Sequence, residues 1–117
     1  WPVEVTRDLD AILEALDICY LLRTQLERQG QAVVPSLRAY HTEYGLTSAR
    51  ADRLPNDAVI MHPGPMNRGV EIAGEVADRP AAVITEQVAN GVSVRMAVLF
   101  LLLGSGLDVV DEQRAIA

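Results

Sequence analysis

A single cysteine, Cys19, leaves this chain of 117 residues with no internal disulfide and no cysteine-based metal framework. Aromatic residues make up only 4%, so a core has to be built from Val, Leu, Ile, Ala and Met. Positive charge is scarce: 10 Lys and Arg stand against 16 Asp and Glu, a net charge of -6. That argues against general nucleic-acid binding, because phosphate contacts need basic residues in excess. A few Arg can still form a local pocket for a small anion. No P-loop, dinucleotide fingerprint, zinc spacing or Ser-His-Asp arrangement is present. The most apolar run, Met96 to Leu103, falls well short of the ~20 residues of a membrane span, and a buried helix without membrane contact is expected there. The lone cysteine suits a reducing, cytoplasmic setting, and with no signal peptide visible and Trp1 as first residue a processed or cut piece of something longer is expected.

Half of the residues are hydrophobic, enough for one domain that buries roughly two thirds of its unfolded surface. Val3-Glu4-Val5 suits a short strand. Asp8 suits a helix N-cap, with Leu9, Ile12, Leu13 and Leu16 on one face behind it. Ile18 to Leu22 then has the length and composition of a strand covered on both faces, as in parallel sheets. Ser36 can cap a helix carrying Leu37, Tyr40, His41 and Tyr44, stopped by Gly45, and a short helix is expected from Ser48 to about Leu54. After a turn at Pro55-Asn56-Asp57 comes a second buried strand, Ala58 to Met61. Next come a helix with Ile72, Ala73 and Val76, and a short strand at Ala82-Val83-Ile84. A last helix from Thr85 or Glu86 to Leu103 stops at Gly104, and a surface tail completes the chain. The pattern is α/β, a mostly parallel sheet flanked by helices.

Three segments can carry chemistry. The second strand runs into His62-Pro63-Gly64-Pro65, where two prolines remove two N–H donors and leave carbonyls. Such a row suits an amide or carbamoyl group, and a rigid turn that merely ends the strand is the equal alternative. Arg23 and Gln25 follow the first buried strand, on the edge where open α/β sheets bind ligands, and point the same way in an extended segment. Arg23 offers a planar fork for a carboxylate. The alternative is a solvated loop, with Glu27 and Arg28 as surface charges. His62 fits a structural, hydrogen-bonded role better than that of a general base, and His41 a packing role. Asn67-Arg68-Gly69 begins the next helix, where Arg68 can hold an anion or pair with Glu71 or another nearby carboxylate. Gln87, Asn90 and Arg95 are expected to anchor the last helix to neighbouring loops.

Taken in order, Arg23-x-Gln25-x-Glu27-Arg28, Met61 to Ile72, and Gln87-x-x-Asn90-Gly91-x-x-x-Arg95-Met96-Ala97 resemble the aspartate carbamoyltransferase family. The resemblance runs from about Val5 to Leu107 and covers only the C-terminal, aspartate-binding half, here assigned to residues 1–117. It implies transfer of a carbamoyl group from carbamoyl phosphate to L-aspartate in pyrimidine synthesis, with no cofactor and no metal. It further implies that Arg23 and Gln25 bind aspartate and that Pro63, Gly64 and Pro65 lie against carbamoyl phosphate. The carbonyls of Pro63 and Gly64 would take its amide hydrogens, and the Gly64-Pro65 bond would be cis. No side chain is assigned a catalytic role. Ornithine carbamoyltransferases carry a cysteine in the loop that here reads His62-Pro63-Gly64-Pro65, which favours aspartate as co-substrate. The family's Ser-Thr-Arg-Thr phosphate motif, which belongs to its N-terminal half, is absent. The expected partners are therefore that missing domain and, in a homotrimer, neighbouring catalytic chains. The fragment alone should be inactive. The alternatives are a non-catalytic binding or assembly module, or a transcarbamylase for another amino acid.

Overall fold

The computed structural model describes residues 2–24 and 36–115. The chain divides into two compact units, residues 1–84 and 85–117.

In the first unit Asp8 caps a turn as expected, its Oδ1 accepting the Ala11 N–H at 3.1 Å. The helix behind this cap is shorter than the apolar spacing predicts: a single 3₁₀ turn, Leu13–Ala15, with Leu13 fully buried. Leu16 is already extended, because the chain must reach the sheet by Ile18. Val3 and Val5 form no strand and stand exposed, since no backbone among the described residues pairs with them. The opening strand–helix–strand unit is therefore not formed.

The parallel pair is instead β1 (Ile18–Tyr20) with β2 (Val59–Met61), in the register Ile18↔Val59, Cys19↔Ile60 and Tyr20↔Met61. Val59 and Met61 bond toward β1, through Asp17 O at 2.9 Å and Leu21 N at 2.8 Å. Ile60 bonds to the opposite side, where Ala82 forms one parallel bridge, so β2 is central. The strand expected at Ala82 to Ile84 reduces to that bridge, because Ile84 already begins a helix. Coverage of β1 is also one-sided: Cys19 is buried while Ile18 and Tyr20 are about half exposed.

The crossover between these strands carries α1 (Leu37–Tyr44) and α2 (Ser48–Ala51). Ser36 Oγ accepts the Ala39 N–H at 3.0 Å, the expected cap. Gly45 ends α1 with an ordinary φ of -65°, so handedness is not why glycine stands here. Crowding is: an added Cβ would lie 2.6 Å from His41 O and 2.8 Å from Val70 O. Leu46 then bridges to Ile72, which brings the segment after β2 against the crossover. Asp10 fastens the 3₁₀ turn to α2, accepting from Arg50 Nη2 at 2.7 Å, Arg50 Nε at 3.0 Å and Arg53 Nη1 at 3.1 Å. The hydrogen bond from Arg50, and then the charges of Arg50 and Arg53, hold the Asp10 carboxyl below its ordinary value against desolvation.

The core consists of Leu13, Cys19, Leu46, Ile60, Ile72, Val76 and Ile84 with smaller neighbours. Each large aliphatic side chain contributes about 1.5–3 kcal/mol by leaving water. The helix expected from Asn67 onward is not there. Residues 68–72 form a bridged loop, Gly69 has φ 83°, and only Gly74–Ala77 (α3) is helical. The Gly69 N–H closes onto Ile72 O at 2.7 Å, which commits to a loop the donor a helix would use.

The second unit is one helix, α4 (Ile84–Ala115), whose first residue, Ile84, belongs to the core of the first unit. It passes through Gly104 instead of stopping. A glycine costs only about 1 kcal/mol inside a helix, and no proline follows Gly104 to end it. From Val88 to Leu103 its apolar residues are exposed, Phe100 at 76%, in contrast to the buried helix expected. Taken from Ile84 to Gly104, 21 residues with mean hydropathy 1.5, it is long and apolar enough by composition to cross a membrane; the narrower Met96–Leu103 window hid this. Asn90 and Arg95 are exposed.

Candidate functional site

Two segments leave the sheet at its carboxyl edge: Leu21–Thr24 after β1 and His62–Met66 after β2. The parallel register sets them side by side. In the second segment His62 is fully buried and hydrogen-bonded through both ring nitrogens. Its Nδ1 accepts the Gly64 N–H at 2.9 Å. The ring proton therefore sits on Nε2, which donates to Glu71 Oε1 at 3.2 Å. This is a structural histidine, in line with the sequence reading.

The bond to Gly64 has a consequence for what the loop can offer a ligand. Pro63 and Pro65 have no N–H, and the N–H of Gly64 is turned inward to His62. Across Pro63-Gly64-Pro65 no backbone donor is left to face outward. Gly64 adopts φ 65°, a conformation that favours glycine, and the Gly64-Pro65 bond is cis, as expected. Pro63 and Pro65 are exposed and Gly64 is half-buried, so the row is accessible.

Arg23 is half-buried on the neighbouring segment and Thr24 is buried beside it. Asn67 joins the two segments, its Nδ2 donating to Thr24 O at 3.3 Å. The Asn67 backbone N–H in turn donates to Glu71 Oε1. The structure thus brings Arg23 and the Pro63–Pro65 row to one edge, as the sequence suggests. Gln25, Glu27 and Arg28 lie outside the described residues.

Other expected contributors are elsewhere. Arg68 pairs in a bidentate manner with Asp78, Nη1 to Oδ2 at 2.9 Å and Nη2 to Oδ1 at 2.8 Å, and also reaches Gly74 O. Of the partners considered it takes a nearby carboxylate, not Glu71 and not an anion at a helix end. Its hydrogen bond and charge hold the Asp78 carboxyl below the ordinary range. His41 packs against the loop, its Nδ1 2.9 Å from Val70 O. Burial raises the Cys19 thiol, which keeps it un-ionised and unreactive.

Sequence reasoning missed Glu71 as a site component. It is 1% exposed and receives both His62 and Asn67 on one carboxyl oxygen. The available signal was an acidic residue inside the apolar run Val70-Glu71-Ile72-Ala73, since a carboxyl there must find donors.

Residues 2–102 match the family described as aspartate/ornithine carbamoyltransferase, Asp/Orn binding domain. The chain belongs to this family. It is 58% identical over 106 residues to the aspartate carbamoyltransferase catalytic subunit of Acidothermus cellulolyticus, covering 91% of this chain and 33% of that protein. The subunit of the same description from Streptomyces coelicolor is 50% identical over 116 residues, 99% of this chain and 36% of that protein. The chain thus spans about a third of the length of the curated relatives it matches. Among solved structures, aspartate transcarbamoylase from Trypanosoma cruzi in complex with carbamoyl phosphate superposes with a TM-score of 0.65. There the identity is 29%, over 78% of this chain and 28% of that one. Ornithine carbamoyltransferase from Pyrococcus furiosus, at 22% identity, TM-score 0.69 and 80% and 30% coverage, shares the fold. The α/β class with a parallel sheet read from the sequence is the class found.

Proposed function

We propose that the full-length protein transfers the carbamoyl group of carbamoyl phosphate to L-aspartate, giving N-carbamoyl-L-aspartate and phosphate for pyrimidine synthesis. The present chain supplies the aspartate-binding side. The observation that carries this is the donor-free row Pro63-Gly64-Pro65 set beside Arg23 at one sheet edge, in a chain of this family. Carbonyls with no competing N–H suit the NH₂ of a carbamoyl group, and a half-buried guanidinium suits a carboxylate of aspartate. Gln25 is proposed to assist Arg23.

In this reaction the aspartate amine attacks the carbamoyl carbon, a C–N bond forms, and the tetrahedral intermediate collapses as the C–O bond to phosphate breaks. The amine loses a proton and phosphate departs with the bonding pair. Positioning and stabilisation of the developing oxyanion supply the rate. The residues here provide two walls, and the charges on phosphate must be met by the rest of the protein. Completion by an N-terminal domain and by neighbouring subunits of a homotrimer belongs to the same proposal, as does a reducing cytoplasmic setting, which suits the buried thiol of Cys19.

Arg23→Ala in the full-length enzyme is expected to lower kcat/KM for aspartate by about 10²–10³, or roughly 3–4 kcal/mol. Steady-state kinetics with aspartate varied check this, and unchanged kinetics would remove Arg23 from the site. A panel of amino-acid co-substrates on the same enzyme tests the choice of aspartate.

A further inference from the structure

We propose that Glu71 is the positioning residue that holds both substrate walls in place, through Asn67 on one side and His62 on the other. The inference rests on the transferase reading above and adds to it a residue that contacts neither wall directly. Glu71 Oε1 is the shared acceptor. It takes the Asn67 backbone N–H, and the Asn67 side chain then donates to Thr24 O, next to Arg23. It also takes His62 Nε2–H, which leaves Nδ1 to draw in the Gly64 N–H. One oxygen therefore fixes the backbone beside the carboxylate-binding arginine and empties the carbonyl row of donors.

The burial of this group shows that the arrangement is more than a surface contact. Glu71 and His62 are 1% and 0% exposed, and Ile72 and Ala73, next in the chain, are buried as well. Its second oxygen, Oε2, is buried with no hydrogen-bond partner among the described residues. Burying a polar oxygen without a partner costs free energy. An apolar side chain at this position would avoid that cost and lose both connections. The two branches run to different segments, so each has its own predicted consequence. Loss of the Asn67 branch loosens the Arg23 wall. Loss of the His62 branch frees the Gly64 N–H to face the carbamoyl side.

The test uses the full-length enzyme, with KM measured for each substrate and melting followed in parallel. Asn67→Ala should raise KM for aspartate about tenfold and leave that for carbamoyl phosphate within about twofold. His62→Gln keeps a donor toward Glu71 but has no acceptor at the Nδ1 position that takes the Gly64 N–H, and should show the reverse pattern. Glu71→Leu should raise both values, whereas Glu71→Gln, which still offers Oε1 to both donors, should stay within about threefold of wild type on each. A merely structural role predicts lower melting temperatures with no division between substrates. Folded Glu71→Leu enzyme with wild-type KM values would overturn the proposal. So would Asn67→Ala and His62→Gln acting on the same substrate, which decides the matter even if Glu71→Leu does not fold. Wild-type enzyme that forms no carbamoyl aspartate would remove the transferase reading itself, an outcome distinct from active enzyme with unmoved KM.

Discussion

Gly45 and Gly69 mark two turns for different reasons, and substitution separates them. At Gly45 the backbone is ordinary and space is lacking, with His41 O and Val70 O where a methyl would go. Gly45→Ala should cost about 1–3 kcal/mol by overpacking, read as a shift of the urea midpoint. Removing the His41 ring should not rescue it, because the crowding oxygens are main-chain. At Gly69 space is open and the backbone is left-handed, φ 83°. Gly69→Ala should cost about 1–2 kcal/mol from conformation alone. The sequence puts Gly45 at a helix stop and Gly69 at a helix start, and shows neither the left-handed backbone of Gly69 nor the crowding at Gly45, which comes in part from Val70, far along the chain. Glu71 escaped notice for a related reason. Its donors come from His62 and Asn67, and only the closed loop brings all three together.

Among the elements, those ended by local chemistry were legible and those ended by tertiary demands were not. Ser36 and Gly45 bound α1 where the sequence puts them, and Pro55 to Asp57 turn as expected. The 3₁₀ turn at Leu13–Ala15 and the loop at residues 68–72 follow neither apolar period. One must reach β1, and the other must close Gly69 onto Ile72. The ion pairs of Asp10 with Arg50 and Arg53 join elements far apart in the chain and leave no local trace. They have a pH signature. Because the folded carboxyl titrates below the ordinary value of about 4, its stabilisation is fully present above that value. It is lost as pH falls from there through the folded pKa. Acid unfolding of Asp10→Asn should therefore have a shallower slope below about pH 4 than wild type, measured by denaturant melts across that range. An equal slope would show that Asp10 contributes nothing to acid lability.

At the scale of the molecule, α4 carries a run of exposed apolar residues, including Val92, Leu99, Phe100 and Leu103. Contiguous apolar surface of this kind associates in water. The 117-residue chain alone should show concentration-dependent self-association in sedimentation velocity, reduced by Leu99→Lys together with Leu103→Lys. A monomer at all concentrations, with no effect of the lysines, would contradict this. The helical character of α4 was legible in its residues and its exposure was not, because burial depends on what else is present. The chain spans about a third of its relatives' length.

The inward-turned N–H of Gly64 also bears on which acyl phosphates the proposed enzyme admits. A wall with lone pairs and no hydrogens works as a filter for isosteres. Acetyl phosphate has nearly the shape of carbamoyl phosphate but carries a methyl where the amide hydrogens would be. It can fill the space and still leave two carbonyl oxygens without partners, at a cost of about 1–3 kcal/mol for each one buried. Discrimination between two small metabolites of similar size and charge then comes from a donor the protein keeps to itself.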